Sequence, residues 1–222
     1  MASTGFFSSS IGKKYLIGLT AIFISLFVFT HMLGNMLLFV SPEVYNGYSH
    51  KLLTNPLIVL IELFFLALFL THVLYTIKTT LENKEARGQR FTITTSGAKA
   101  VTFSSKTMIY HGALIFVFLV LHLLTFKYGQ IYEATYNGVV MRDLHRLVIE
   151  VFQIPSYVVW YVIAVFLLGL HLHHGVQSIF QTLGFNQPRY TPAIRKIGLT
   201  YAWVVAIGYM FQPLYVFFFY QQ

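Results

Sequence analysis

This chain contains no cysteine and very little charge. Of its 222 residues, 7 are Asp or Glu and 15 are Lys or Arg, so only 10% are charged. The absence of cysteine excludes a disulfide framework, thiolate-bound iron–sulfur clusters within the chain, and the covalent C-x-x-C-H attachment of haem. The scarcity of charge excludes an ordinary soluble domain, in which about a quarter of the residues are charged.

Long apolar runs take the place of the missing charge. The chain is 56% hydrophobic and contains 22 Phe. The runs cover about residues 15–40, 56–78, 107–127, 155–181 and 197–219, and each has roughly the 20 residues that a helix needs to cross about 30 Å of hydrocarbon. They lack the alternating pattern of barrel strands. We therefore predict an all-α bundle of five transmembrane helices that forms one membrane domain, residues 1–222.

The basic residues predict how this bundle is oriented, because Lys and Arg in short loops are retained on the cytoplasmic side. With the N-terminus inside, the cytoplasmic segments carry eleven of the 15 basic residues. The other four, in the outer loops, are Lys51, Lys127, Arg142 and Arg146. We therefore predict a cytoplasmic N-terminus and an outer C-terminus. We expect the positive charge to face lipid headgroups and a cytoplasmic partner, with the basic loop 82–106 as the docking surface. We expect no nucleic-acid partner.

Each of the first four apolar runs contains a histidine a few residues past its midpoint. These are His31, His72, His122 and His171. Because successive helices are antiparallel, this displacement places His31 and His122 in an outer layer. It places His72 and His171 in an inner layer, and each layer lies about 5 to 7 Å from the midplane. An imidazole at this depth needs a partner, so we predict one non-covalently held, bis-histidine haem b in each layer.

The remaining histidines are expected to have other surroundings. His173 and His174 are near enough to the histidine of the fourth span to replace it as a ligand. His50 and His145 fall in outer loops, where we expect them to be solvated or to meet an outer propionate. His111 is expected to be a polar residue at the membrane interface.

The order of the four histidines carries a resemblance to a known family. The segments around them read THMLGN at 30–35, LTHVLY at 70–75, VLHLL at 120–124 and HLHHGVQS at 171–178. With five spans, they resemble the single-chain di-haem cytochrome b subunit, of the b558 type, of succinate dehydrogenase and fumarate reductase. The resemblance covers almost the whole chain.

This resemblance implies a function in a respiratory chain. The protein would anchor a flavoprotein subunit with FAD and an iron–sulfur subunit to the cytoplasmic face of a bacterial cytoplasmic membrane. Succinate oxidation or fumarate reduction would take place in the flavoprotein, and not in this chain. Electrons would pass between the iron–sulfur clusters, the inner haem b, the outer haem b and menaquinone, so that this chain is the quinone-reactive subunit.

Further residues are expected around the quinone and the haem propionates. Glu62 is the only acidic residue well inside a predicted span, near the level of the outer haem, and we expect it to exchange protons with the quinone. Glu43 in the first outer loop is the competing candidate. Arginine suits a carboxylate, so Arg142 and Arg146 are the expected partners of the outer propionates. Those of the inner propionates are Lys14, Lys78 and Ser178. Some family members carry an acidic residue where this chain has Gly169, so we expect no proton path there.

The sequence leaves two other functions open. The first is a haem b membrane anchor of a hydrogenase or a formate dehydrogenase, although those anchors typically have four helices and a different distribution of ligands. The second is a haem-free membrane transporter whose histidines bind protons or a metal. A reduced-minus-oxidised absorption spectrum of the purified chain separates the haem proteins from the transporter.

Overall fold

Seven helices make up most of the part of the chain that the structure describes. The structure is a computed structural model; it describes residues 5, 9–86, 103–185 and 187–220, with the backbone alone for 103–106. It is 82% helical, and five of the helices are long and apolar enough to span a membrane. The predicted all-α bundle is therefore confirmed, and the protein is a multi-pass membrane protein. Most of the predicted docking loop, residues 87–102, lies outside the described residues.

The five membrane helices follow the five apolar runs but extend beyond them. They are α1 (Ser10–Asn35), α3 (Ile58–Ala86), α4 (Phe103–His122), α6 (Pro155–Thr182) and α7 (Thr191–Phe219). A 3-10 turn (Met36–Phe39) continues α1, and a π-helical turn (Leu123–Lys127) continues α4. The largest difference is at α3, which ends at residue 86 rather than 78. Backbone hydrogen bonding does not stop where charge begins, so polar residues at both ends still belong to the helices.

The loops between α1 and α3 and between α4 and α6 are folded, which the sequence reading did not predict. The first contains helix α2 (Pro42–Leu53). The second contains the antiparallel hairpin of β1 (Glu133–Tyr136) and β2 (Val139–Arg142), followed by helix α5 (Leu144–Phe152). These elements pack on one another at one end of the bundle, which is the outer end in the predicted orientation. We call α2, β1, β2 and α5 the cap.

A buried polar network holds the cap together. Asn46 is 0% exposed. Its Nδ2 donates to Asp143 Oδ1 at 2.7 Å, and its Oδ1 accepts from the backbone N–H of His145 at 2.9 Å. The network ties α2 to the start of α5, so the two folded loops form a single unit.

The hairpin of the cap turns at Asn137 and Gly138, whose positive φ values of 53° and 80° suit a two-residue turn.

The membrane helices associate as two pairs, and the fifth helix, α7, packs against one of them. α1 packs along α3 and α4 packs along α6, whereas α3 and α4 come close to each other at few points. α7 covers α6 in the most extensive contact of the bundle, and α1 also touches α6. At Gly169 of α6, an added Cβ would stand 2.9 Å from Cβ of Ala206 of α7, so this close contact depends on the missing side chain. The two pairs therefore face each other across the centre of the bundle.

A salt bridge joins α1 and α3 at the predicted cytoplasmic end. Lys13 Nζ donates to both carboxylate oxygens of Glu82 at 2.6 Å. The Lys13 side chain is 8% exposed, whereas its neighbour Lys14 is exposed. An ammonium group this buried requires an opposite charge. The ion pair therefore fixes the position of α3 along α1.

Candidate haem-binding site

The four membrane histidines meet in two pairs. His31 of α1 faces His122 of α4, with ring centroids 6.0 Å apart and ring planes at 87°. His72 of α3 faces His171 of α6, with centroids 6.5 Å apart and planes at 67°. These are the pairs that depth along antiparallel helices predicts. Each pair joins one helix of the α1–α3 pair to one helix of the α4–α6 pair.

The spacing within each pair fits a metal ion between two imidazoles. A metal–imidazole bond is about 2 Å long and a ring nitrogen lies about 1 Å from the ring centre, so two rings on opposite sides of one ion have centroids about 6 Å apart. The observed 6.0 and 6.5 Å match this value. No group of three or more His, Cys, Asp or Glu that could hold a bare metal ion occurs among the described residues. A porphyrin brings its own nitrogens, so two histidines are enough for a haem.

Thr20 determines which nitrogen of His72 is free. The Thr20 hydroxyl donates to the backbone carbonyls of Leu16 at 2.8 Å and Ile17 at 3.0 Å. Its oxygen lies 3.3 Å from His72 Nδ1 and is therefore placed to accept the N–H of that nitrogen. With Nδ1 protonated, the lone pair of Nε2 is free to bind iron. Most metal-binding histidines are fixed in this way, by a hydrogen bond from the ring nitrogen that does not bind the metal.

Tyr161 is the hydrogen-bond partner of His122. Its hydroxyl lies 3.2 Å from His122 Nδ1, and the residue is 6% exposed. Three phenylalanine rings enclose the two side chains: Phe118, Phe126 and Phe152. The ring of His122 is therefore held by one hydrogen bond and by packing. Neither Thr20 nor Tyr161 was among the residues identified from the sequence, because each lies on a different helix from its histidine.

His31 has a partner on its own helix. Asn35 Nδ2 lies 3.3 Å from His31 Nε2, and Tyr45 of the cap donates to Asn35 Oδ1 at 3.2 Å. The ring of Phe27 stacks on His31 with centroids 5.4 Å apart and planes at 14°. Iron binding through Nε2 therefore requires the Asn35 amide to turn away, whereas binding through Nδ1 does not.

His171 meets the backbone of α4. A Cβ added at Gly112 would lie 3.5 Å from His171 Cε1, so the glycine lets the imidazole approach that helix. The Nδ1 atoms of His171 and of His111 are both buried without a hydrogen-bond partner in the part of the chain that is described. His111 is 5% exposed, so it lies on the face of α4 that packs inside the bundle. Its expected depth near the membrane interface stays a prediction.

The other histidines take up different positions. His173 Nε2 lies 2.7 Å from Gln177 Nε2 on its own helix, and the ring contact with His72 is made by His171. His145 was expected to be solvated and is 5% exposed, because α2 and the C-terminal end of α7 cover it. Burial lowers the pKa of His145, and the charge of Asp143 opposes this effect.

The two candidate quinone carboxylates lie in different parts of the fold. Glu62 of α3 forms an ion pair with Lys127 at 2.5 Å, and both side chains are partly exposed. Lys127 ends the π turn that begins directly after His122, so Glu62 lies at the outer end of α4. Glu43 is exposed in the first turn of α2 and accepts from Asn137 Nδ2 at 2.7 Å. Glu62 is therefore tied to the helix of an outer histidine, and Glu43 to the tip of the cap.

Arg142 has partners that its sequence position did not predict. Its guanidinium donates to three backbone carbonyls at the end of α4: those of Phe126 at 2.9 Å, Lys127 at 3.2 Å and Gln130 at 3.3 Å. Its Nε is buried without a partner in the described part of the chain. One of its donors therefore remains for a propionate, while the others hold the polypeptide backbone.

The remaining propionate candidates are exposed. Arg146 donates to Glu150 at 2.8 Å and lies over the ring of Tyr132 at 4.2 Å. Hydrogen bonds from Tyr132 and Arg146 lower the pKa of the Glu150 carboxyl. At the inner end, the candidates Lys14, Lys78 and Ser178 are also exposed. The geometry thus supports the histidine pairs much more strongly than it supports any one propionate partner.

Comparison of this chain with protein-family models, curated protein sequences and solved structures gives no match. Its function must therefore be inferred from the residues and from their arrangement in the fold.

Proposed function

We propose that this protein is the di-haem cytochrome b subunit of a succinate:quinone oxidoreductase, either a succinate dehydrogenase or a fumarate reductase. The observation that carries the proposal is the pairing of four histidines from four successive membrane helices, with 6.0 and 6.5 Å between the rings. One ligand on each of four helices is the distribution that the sequence resemblance implies. In the hydrogenase and formate dehydrogenase anchors the ligands are distributed differently.

Each pair would hold one haem b. His72 and His171 are the ligands of the inner haem, and His31 and His122 are those of the outer haem. When bound, each haem would carry one electron at a time between the partner subunits and the quinone. Two histidines for each haem would leave no position on the iron for oxygen, which suits electron transfer.

The protein residues around each pair orient the ligands and exclude water. Thr20 accepts the Nδ1 proton of His72, so that Nε2 of this ring stays unprotonated. The Tyr161 hydroxyl lies 3.2 Å from His122 Nδ1 and would accept the proton of that nitrogen when Nε2 of His122 binds iron. Phe118 and Phe126 pack against His122. Such hydrogen bonding and burial are the means by which a protein sets the potential of a haem.

The remaining partners follow from the same proposal. A flavoprotein with FAD and an iron–sulfur subunit dock on the cytoplasmic face of a bacterial cytoplasmic membrane, and menaquinone is the substrate at the outer haem. The basic residues of the segments predicted to be cytoplasmic supply a surface for acidic partner groups and for anionic lipids. The succinate or fumarate site belongs to the flavoprotein.

The haem content of the purified chain tests the proposal. We expect two b-type haems per chain in the reduced-minus-oxidised spectrum. His72→Ala and His171→Ala should each remove the inner haem, and His31→Ala and His122→Ala should each remove the outer one.

The control for these variants is His173→Ala. It should keep both haems, since its ring is bonded within α6. A colourless chain would favour the haem-free transporter. Loss of the same haem in His31→Ala and His72→Ala would show that the pairing is wrong. A haem-containing complex that co-purifies with a hydrogenase or formate dehydrogenase would favour the other anchor.

A further inference from the structure

The turn that follows His122 is not an ordinary end of an α-helix. Residues Leu123–Lys127 form a π-helical turn, and the backbone N–H of Tyr128 donates to the carbonyl of Leu123 at 2.9 Å, five residues back. A π turn is wider than an α turn and rotates the residues that follow it. Such turns are rare, and they occur frequently at functional sites. Here the turn begins at the residue after a haem ligand of the proposed function.

Arg142, the last residue of β2, holds this turn from outside the helix. Its Nη2 donates to the carbonyl of Phe126 at 2.9 Å and to that of Gln130 at 3.3 Å, and its Nη1 donates to the carbonyl of Lys127 at 3.2 Å. The last carbonyls of a helix have no partner within the helix, and in a membrane they are costly to leave unpaired. The planar guanidinium, with five donors, can satisfy several of them at once.

The held segment is in contact with the ligand. The ring of Phe126, the residue whose carbonyl accepts the shortest of these bonds, lies 5.4 Å from the ring of His122. It also lies 5.9 Å from the ring of Tyr161, whose hydroxyl is 3.2 Å from His122 Nδ1. A shift of the backbone at Phe126 would therefore move two of the groups that fix the imidazole. The hairpin, the turn and the ligand form one continuous set of contacts.

We propose that Arg142 is a positioning residue for His122, and that it fixes the orientation of the outer ligand by binding the carbonyls of the π turn. This role rests on the proposed function, since it concerns a haem ligand. It differs from the propionate contact expected from the sequence, because it is exerted through the backbone of α4 and uses the two Nη groups. The cap thereby becomes part of the outer redox centre and not only a cover.

The test compares Arg142→Ala and Arg142→Lys with Lys51→Ala in the full chain. Lys51 is an exposed cation of the cap, in the last turn of α2. The first measurement is hydrogen–deuterium exchange of the peptide that covers residues 123–130. The second is the electron paramagnetic resonance spectrum of the outer haem, which would report the orientation of its histidine ligands.

We expect Arg142→Ala to raise the exchange of this peptide by about tenfold or more, since its hydrogen bonds would open locally. We also expect a shifted outer-haem signal and an unchanged inner-haem signal. Arg142→Lys should lie between Arg142→Ala and the wild type, because one ammonium cannot reach all three carbonyls. Lys51→Ala should change neither measurement. If Arg142→Ala does not fold, the graded effect of Arg142→Lys still tests the proposal.

Two results would overturn this role. One is unchanged exchange at 123–130 in both Arg142 variants; if a redox titration then shows an altered potential of the outer haem, Arg142 would instead bind a propionate. The other is raised exchange with a wild-type outer-haem signal. A chain without haem would contradict the proposed function, whereas the exchange measurement would still report whether Arg142 holds the turn.

Discussion

At the scale of single residues, an imidazole inside a membrane has two ring nitrogens that need partners. The hydrogen-bond partner of one nitrogen determines whether the other nitrogen is free to bind a metal. Thr20 has its hydroxyl proton engaged with the backbone of α1, so its oxygen is left for the Nδ1 proton of His72. The hydroxyl of Tyr161 lies 3.2 Å from Nδ1 of His122 and has either role in this hydrogen bond. His171 is different, because its Nδ1 is buried beside α4 without a partner among the described groups.

Thr20→Val tests this effect at the inner pair. Valine has nearly the same shape but cannot accept the Nδ1 proton, so the ligand becomes less basic and the inner haem easier to reduce. We expect haem affinity at that site to fall by about 10- to 100-fold and its potential to rise, as measured by redox titration. Thr20→Ser keeps the hydroxyl and should behave like the wild type. An equal shift in both variants, or a shift of the outer haem, would contradict the assignment.

Glu62→Gln tests the proposed proton exchange with the quinone. The amide cannot carry a proton, so quinone reduction by the assembled complex should slow by about 100-fold or more while both haem spectra stay intact. The exposed carboxylate of Glu133 in β1 provides the matched control, and Glu133→Gln should leave turnover unchanged. Unchanged turnover in Glu62→Gln, or a larger loss in Glu43→Gln, would exclude Glu62 from this role.

At the scale of elements, the contact between α6 and α7 depends on small residues. Gly169 faces Ala206, which is 1% exposed, and there is no room there for a longer side chain. In this chain, a carboxylate at position 169 would collide with α7.

Gly169→Leu should therefore destabilise the bundle. Overpacking of a tight contact costs about 1–3 kcal/mol, which should appear as a lower thermal midpoint of the purified chain. Gly18→Leu is the control on α1, because nothing lies within 4 Å of a Cβ added at Gly18. Equal stability of the two variants would show that the approach of α7 to α6 is not limited by Gly169.

At the scale of the whole molecule, the distribution of charge predicts which end faces the cytoplasm, and the cap then lies outside. The absence of cysteine allows a direct test with single-cysteine variants. Val140→Cys lies on the exposed hairpin and Lys84→Cys on the exposed end of α3. In intact cells, a membrane-impermeant maleimide should label the first, and should label the second only after permeabilisation. The reverse pattern would invert the topology and exchange the two proposed haem layers.

Much of the fold follows from the sequence alone, because the length of an apolar run and its lack of charge are local properties. They determined the five spans, and the depth of each histidine along its span determined which histidines share a level. The helix ends were less well predicted, since backbone hydrogen bonding continues past the first charged residue. Thus Lys13 and Glu82, at the edges of the apolar runs, lie within α1 and α3 and pair with each other.

Only the tertiary structure decided which side chains surround the histidines. Thr20 is 52 residues from His72, and Tyr161 is 39 residues from His122. Neither contact can therefore be inferred from the residues near the histidine in the sequence. Depth along a helix does not specify the rotation of that helix about its axis, which determines the neighbours of each face. The same holds for Arg142, whose guanidinium binds the end of α4 only because the hairpin folds back over it. The level of each histidine is therefore a property of the sequence, and its hydrogen-bond partner is a property of the fold.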